Sequence, residues 1–330
     1  MALALFPYSA ITAKCRAKSA KLLKYDDYHA VCVSTGLAEA ASYLCEHGDY
    51  KKELEDVTLA YIDRASLEEL FANAFERMCS ELFAFADGEV KQLISLRMGK
   101  RKIVNVLAKA ARICENTGAD SKQDIPATVE EYVSLFRTTQ YYKAVCECVS
   151  ENGKIDIIRL ESVLYSAYYT ELIKAAEKTG DKDVVEITRK VADFRNLEVV
   201  LRARLNFGLQ GEEISPYLIK IGEQTDSKDI SQLCTMDSKA LARHLSIYSD
   251  SHNIDSEKAF SIHRNMLVYR YYRKVFASTK PSFGVLFAYI GLCETEVTNL
   301  VHVIEGLRYK LAPEKIMQTV ACERLKEVNI

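Results

Sequence analysis

Hydrophobic positions recur at helical spacing along almost the whole chain. Apolar residues step by three and four at Leu67, Leu70, Phe71, Ala74, Phe75, Met78 and Leu82, and again at Leu160, Val163, Leu164, Ala167, Tyr168 and Leu172. Such spacing places the apolar side chains on one face of an α-helix. Sustained alternation of apolar and polar residues, the pattern of a half-buried strand, does not occur in the sequence. The pattern therefore predicts an all-α fold.

Helix starts are marked by capping residues and prolines. Thr128 followed by Glu131 fits a capping box, Ser215 precedes Pro216, and Pro313 opens a Glu-Lys-Ile run. A hydroxyl or carboxylate at the cap and a proline at the first helical position both favour helix initiation. We expect a helix to begin at each of these places.

Two short phrases repeat along the chain. In the first, an aspartate followed four residues later by leucine opens an apolar helix, at Asp63–Leu67, Asp156–Leu160 and Asp237–Leu241. In the second, an asparagine precedes a hydrophobic residue and follows an acid by three residues. Its two full copies are Asn196 with Asp193 and Asn299 with Glu296. Asn105 marks a weaker copy, in which Lys102 replaces the acid.

The spacing of these phrases indicates an internal repeat of about one hundred residues. That length exceeds the 20–50 residues of solenoid repeats, so each copy can form a small helical domain. We predict three similar helical domains, 1–125, 126–222 and 223–330, in a pseudo-threefold arrangement. Because the asparagines occupy equivalent places, we expect them to be buried amides that bond a neighbouring helix or turn.

Charge and hydropathy exclude several classes of protein. Forty-four basic and forty-six acidic residues give a net charge of −2, which offers no overall field for binding nucleic acid. The longest uncharged apolar stretches, 1–13 and 281–293, are shorter than the roughly 20 residues that span a bilayer. No basic segment precedes the first stretch, so we expect no secretory signal. The ten cysteines fit small core residues of a reducing compartment, without disulfides.

The sequence contains no pattern typical of a catalytic, nucleotide or metal site. The Gly-Lys pairs at 99–100 and 153–154 are followed by Arg and Ile, where a phosphate-binding loop needs Ser or Thr. The six histidines show no helical pair around a glutamate. Cys146 and Cys148 would point to different sides of a helix. We therefore predict a non-enzyme without a cofactor.

Basic and aromatic residues are interleaved between Arg264 and Lys274. The cations Arg270, Arg273 and Lys274 could stack on and neutralise RNA. An amphipathic helix whose long cations lie at its edge accounts for the same pattern, and the slightly acidic chain favours it. Contact with an acidic protein partner is intermediate between the two.

Four segments, in order along the chain, resemble one known family. They are Tyr8 to Tyr28, Thr138-Thr-Gln-Tyr-Tyr142, Asp193-Phe-Arg-Asn-Leu-Glu-Val-Val-Leu-Arg202-Ala-Arg204, and Tyr289 to Leu300 with Leu311-Ala-Pro-Glu314. They are similar to the C subunits of archaeal and bacterial V/A-type ATPases, whose eukaryotic counterparts are the d subunits of V-ATPases. The sequence departs from the family mainly in the first copy, where Lys14 replaces an Arg and 101–105 replaces an Asp-led phrase.

This resemblance implies a particular role. The protein would be a funnel of three helical domains at the cytoplasmic face of a membrane, peripheral to it. It would be a non-catalytic central-stalk socket between the rotating shaft and the membrane ring that carries protons or sodium ions. Its partners would be the shaft subunits and that ring. A helical scaffold or adaptor unrelated to ion transport, and an enzyme with an unrecognised helical site, remain the alternative hypotheses.

Overall fold

The chain is predominantly helical in the part that the structure, a computed structural model, describes. That part comprises residues 6–114, 128–139, 141–209, 211–219, 257–278 and 282–323, together with Thr235. Within these ranges no β-strand occurs, and one isolated antiparallel bridge joins Val149 and Ile155. The all-α fold class is confirmed.

The described helices range from 4 to 27 residues in length. The first are α1 Phe6–Ser19, α2 Tyr25–Cys32, α3 Leu37–His47, α4 Lys51–Leu54, α5 Arg64–Ser80 and α6 Gly88–Cys114. The next are α7 Val129–Ser134, α8 Tyr142–Glu147, α9 Ile157–Lys178 and α10 Lys182–Phe207. The last are α11 Glu257–Phe276, α12 Phe283–Arg308 and α13 Pro313–Met317. Single 3₁₀ turns cover Leu59–Tyr61, Phe83–Phe85, Gly211–Glu213 and Ser215–Tyr217.

The aspartate of the first repeated phrase is a helix N-cap in both described copies. Asp63 accepts a hydrogen bond from the Ser66 backbone N–H at 2.8 Å, and Asp156 accepts one from the Arg159 N–H at 3.0 Å. The carboxylate satisfies an N–H that has no partner within the helix. The third copy, Asp237–Leu241, lies outside the described residues. The phrase is thus a helix start whose leucine points into the core.

The described helices divide into two compact units. Unit 1 comprises Met1–Ile94, Asp181–Ile187 and Ala242–Ile330, and unit 2 comprises Ser95–Gly180 and Thr188–Leu241. Both α6 and α10 have residues in each unit. Three similar domains with boundaries near residues 125 and 222 stay a prediction.

Helix α12 is the central element of unit 1, in contact with α1, α2, α3, α5, α11 and α13. Two of its glycines permit close helix packing. A Cβ at Gly291 would lie 2.3 Å from the Tyr272 ring of α11, and one at Gly306 would lie 2.6 Å from Ile316 of α13. Real Cβ atoms do not approach so closely, so any larger side chain there would push α11 or α13 away from α12.

By length and composition, α12 could also cross a membrane. Of its most apolar window, 72% is buried inside the protein. Phe283 to Cys293 are all buried, whereas a membrane span presents apolar side chains to lipid. The burial is that of a core helix.

An ion-pair network joins α1, α4 and α5 in unit 1. Arg77 bonds to Glu53 at 2.6 Å and to Glu81 at 3.2 Å, and Lys18 pairs with Glu81 and Asp49. Burial alone would raise the pKa of Glu81, but the hydrogen bonds from Lys18 and Arg77 outweigh it and lower the pKa to about 2. Several part-buried charges that share partners stabilise such a site more than isolated surface pairs do.

In unit 2, α9 and the C-terminal part of α10 share a core and a buried guanidinium. Arg195 pairs with Glu161 and Glu198, and its guanidinium lies 4.3 Å from the centre of the Tyr165 ring. Leu201, on the apolar stripe that the sequence predicts, is 2% exposed. Charge pairing and ring contact compensate the desolvation of Arg195.

We predict that removing either aspartate cap destabilises its unit. Asp63→Ala and Asp156→Ala should each lower the free energy of unfolding by about 1 kcal/mol, because an N–H of the first turn loses its acceptor. Urea denaturation followed by circular dichroism would measure the change. Asp56→Ala, at an exposed turn position, is the matched control. Unchanged midpoints for both cap variants would contradict the assignment of these residues as caps.

Candidate partner-binding cavity in unit 1

The asparagine of the second repeated phrase binds the backbone of a later segment. In unit 2 the Asn196 carboxamide donates to the Ile219 carbonyl at 3.1 Å and accepts from the Ile219 N–H at 2.8 Å. Both hydrogen bonds are buried, and Asn196 is fully shielded from solvent. One side chain thereby satisfies both polar groups of a backbone position 23 residues downstream.

Asn299 on α12 makes the same pair of bonds in unit 1. Its carboxamide donates to the Ala321 carbonyl at 3.1 Å and accepts from the Ala321 N–H at 2.8 Å. We call this two-bond arrangement the asparagine clamp. In unit 1 it fixes the segment that follows α13 against α12.

The other residues of the phrase have different surroundings. Asn105 lies at an exposed position of α6, so it does not share the buried environment of the other two asparagines. Asp193 is half-buried, and burial raises its pKa against the opposing charge of Lys190. Arg202 pairs with Glu161 at 2.8 Å in unit 2. The threefold repeat stays a prediction, and the weak first copy is the one whose asparagine is exposed.

Glu296, one helical turn before Asn299, is a buried carboxyl that joins three elements. It is 3% exposed, accepts from the Leu23 N–H at 2.6 Å and accepts from the Tyr50 hydroxyl at 2.8 Å. Burial raises its pKa to about 7, although the two hydrogen bonds lower it, and the charges of Asp49 and Asp27 raise it further. Glu296 therefore fixes the α1–α2 connection and the start of α4 against α12.

A cavity of about 880 Å³ opens beside these two residues, which we call the unit 1 cavity. Its lining comes from the end of α1 and start of α2, from α11, from α12 and from the segment after α13. The lining residues are Ser19, Leu22, Leu23, Lys24, Tyr25, Tyr28, Tyr269, Arg270, Arg273, Leu292, Thr295, Glu296, Asn299, Cys322 and Glu323. The volume is within the range of ligand pockets.

Two of the three cations singled out in the sequence line this cavity. Arg270 and Arg273 are exposed residues of α11, one turn apart, and Lys24 is an exposed residue at the start of α2. Lys274 is exposed on the same helix but is not part of the lining. Arg270 and Arg273 thus lie at the rim of a cavity whose wall includes Glu296 and Asn299.

The rim of the unit 1 cavity carries cationic groups that can bind an anion. Over the described ranges no group of three or more His, Cys, Asp or Glu could hold a metal ion. Glu296 is engaged by Leu23 and Tyr50, and burial raises the pKa of the nearby Cys322 thiol to about 11. Guanidinium and ammonium groups at a rim bind carboxylate or phosphate.

Sequence reasoning missed the partners of these residues. Leu23 and Tyr50 lie 273 and 246 residues before Glu296 in the chain, and no spacing rule connects them to it. The signal that does exist is the acid three residues before the asparagine. That spacing puts both side chains on one face of the helix.

The fold and the site together define an all-α protein in which buried polar side chains fix backbone segments and cations are among the residues that line a cavity. The particular family follows from sequence comparison. The model of the family described as ATP synthase (C/AC39) subunit matches residues 11–319, and the chain belongs to this family. The resemblance noted from the sequence is thereby confirmed.

Curated relatives are A-type ATP synthase C subunits. That of Methanosphaera stadtmanae is 23% identical, over 93% of this chain and 86% of the relative. That of Pyrococcus horikoshii is 25% identical, over 95% and 90%. That of Archaeoglobus fulgidus is 24% identical, over 93% and 94%. The similarity therefore extends along nearly the full length of both partners in each comparison.

We predict that Glu296 makes the stability of the protein depend on pH near neutrality. Its pKa is raised in the folded state, so the folded protein binds more protons than the unfolded chain between about pH 4.5 and 7. The free energy of unfolding should therefore fall as pH rises through this window, by roughly 3 kcal/mol for a shift of this size. Above it, the contribution is constant.

Glu296→Gln is the test of that pH dependence. A glutamine can accept from Leu23 and donate to the Tyr50 oxygen, so it keeps both contacts without a charge. Urea denaturation at several pH values would show the difference in unfolding free energy between wild type and variant. Other titrating groups cancel in that difference. Parallel curves for the two proteins from pH 4.5 to 8 would contradict the prediction.

We also predict that the asparagine clamp contributes strongly to stability. Asn299→Ala leaves the buried N–H and carbonyl of Ala321 without their partners, at a cost of about 2–4 kcal/mol. Asn105→Ala, at the exposed position of the weak copy, should change stability by less than about 0.5 kcal/mol. Thermal and urea denaturation of both variants measure this. Similar losses for the two would show that burial of the carboxamide is not what matters.

Proposed function

We propose that this chain is a non-catalytic central-stalk subunit of a rotary V/A-type ATPase, a socket that couples the rotating shaft to the membrane ring carrying protons or sodium ions. The observation that carries the proposal is membership of the ATP synthase (C/AC39) subunit family across residues 11–319. The relatives bear the name of a single subunit of A-type ATP synthase.

Stiffness is the physical property that such a role requires. Helices α6, α10 and α12 have 27, 26 and 26 residues, so each is about 40 Å long at 1.5 Å per residue. Buried side chains such as Asn196, Asn299 and Glu296 fix the segments packed against two of them. A rigid helical body with satisfied buried polar groups transmits torque without needing a reactive group.

The same helices support the three-domain arrangement. Each is the second helix of a successive pair, with α5, α9 and α11 as the first. The pairs fall within 1–125, 126–222 and 223–330. A pseudo-threefold funnel of three such domains would offer a central opening to a shaft.

The partners in this proposal are the shaft subunits and the ion-carrying ring. The protein would lie at the cytoplasmic face of the membrane, attached through the complex. Arg270, Arg273 and Lys274 form an exposed basic surface on α11, which suits an acidic protein surface. The net charge of −2 disfavours nucleic acid as the partner.

The proposal predicts that disrupting a core helix uncouples the complex. Leu201→Asp puts a carboxylate into the core of unit 2, where Leu201 is 2% exposed, at a cost of several kcal/mol. Enzyme carrying this change should hydrolyse ATP in the catalytic head but lose ATP-driven ion uptake. Uptake by reconstituted vesicles and hydrolysis by the detached head are the measurements.

The matched control is Lys182→Ala at an exposed position of α10, which should leave coupling unchanged. Before these assays, the tagged wild-type chain should co-purify with shaft and ring subunits from detergent-solubilised membranes. A Leu201→Asp complex that assembles and pumps with normal coupling would show that this protein does not carry the torque.

A further inference from the structure

The unit 1 cavity has residues of different charge and burial at its floor and at its rim. Its floor carries Glu296 and Asn299, which are buried and bonded to backbone or to Tyr50. Its rim carries the exposed cations Lys24, Arg270 and Arg273. The floor groups hold the unit together, whereas the rim cations are exposed to solvent.

We propose that the unit 1 cavity receives an acidic peptide segment of a partner protein in the complex, a loop or terminus whose carboxylates bind Arg270, Arg273 and Lys24. This inference rests on the proposed function, since it names the kind of partner segment that one part of the chain accepts. Membership of the family does not by itself assign a ligand to this cavity.

The charges of the residues that line the cavity favour a negatively charged occupant. Three cations line the cavity against two acidic residues, Glu323 at the surface and Glu296 at the floor. Glu296 is bonded to Leu23 and Tyr50, so its oxygens are already occupied by donors of this chain. An incoming anion therefore meets guanidinium and ammonium groups first. Arginine forks bind carboxylates through two parallel hydrogen bonds, which fixes orientation as well as adding affinity.

The remaining lining favours a peptide over a bare anion. Leu22 and Leu292 are apolar, and Tyr25 and Tyr269 offer ring surface with a polar end. Side chains of this mixed kind are characteristic of protein interfaces, where tyrosine and arginine contribute much of the affinity. A cavity of about 880 Å³ is larger than one carboxylate group. A short peptide with apolar residues next to its acidic ones would fill the remaining volume.

Hydrogen bonds to buried side chains fix the chain segments that would contact this peptide. The asparagine clamp fixes the chain next to Cys322, and the Glu296 bond fixes the chain next to Lys24. A site whose walls are fixed before binding loses less entropy when it is filled.

Site-specific photo-crosslinking in the purified complex tests the proposal. Benzoylphenylalanine replaces Leu22, which lines the cavity, and in a control it replaces Tyr61, which is 89% exposed and lies outside the lining. After irradiation, mass spectrometry identifies the attached peptide. We expect the Leu22 probe to attach to a partner segment containing two or more acidic residues, and the Tyr61 probe not to reach that segment.

The rim cations are then removed together. In an Arg270→Ala/Arg273→Ala background the yield of the Leu22 product should fall at least about tenfold, as expected for loss of charge-assisted contacts. Lys315→Ala, an exposed cation of α13 outside the lining, should leave the yield unchanged. Arg270→Lys/Arg273→Lys should restore part of it. Circular dichroism of each variant verifies that the helices remain folded.

Several results would overturn the inference. They are attachment of the Leu22 probe only to lipid, only to this chain itself or only to a segment without acidic residues, and a yield insensitive to the arginines. If the double variant does not assemble, the peptide that attaches to the Leu22 probe in the wild-type background tests the proposal. Failure of the wild-type chain to co-purify with any other protein of the ATPase would instead contradict the proposed function, so the two failures are distinguishable.

Discussion

The burial of α12 in the middle of unit 1 is the constraint on which the rest of that unit depends. Helices from both ends of the chain pack around it, so Glu296 and Asn299 have almost no access to bulk water. A buried carboxyl or carboxamide is costly unless its hydrogen bonds are made within the protein. Glu296 and Asn299 meet that condition by bonding Leu23, Tyr50 and Ala321, and each bond fixes a connecting segment that has little regular structure.

The two asparagine clamps show why a polar residue can be a fold determinant. Asn196 and Asn299 use both ends of the carboxamide on one peptide position, so neither polar group of that position is left unsatisfied. Leucine there would leave two buried backbone groups unpaired, and aspartate could accept but not donate. The same solution in both units is consistent with the same phrase in the sequence.

Local features of the fold were predictable from the sequence, and long-range ones were not. Helical periodicity identified the stripe of Leu160 and Leu164, and cap chemistry identified Asp63 and Asp156, because these signals act over a few residues. Repetition singled out Asn196 and Asn299 but could not show what they bind. The cavity depends on tertiary contacts between segments from both ends of the chain, which periodicity does not encode.

Asn105 is exposed, unlike the other two repeated asparagines, which are buried. A repeated residue keeps a structural role only where a downstream segment returns to meet it, as Ile219 meets Asn196 and Ala321 meets Asn299. At an exposed site the carboxamide has water as a partner, so nothing in the packing demands asparagine there. The departure of 101–105 from the other two copies of the phrase is consistent with that exposure, because an exposed carboxamide sets no packing requirement on the residues beside it.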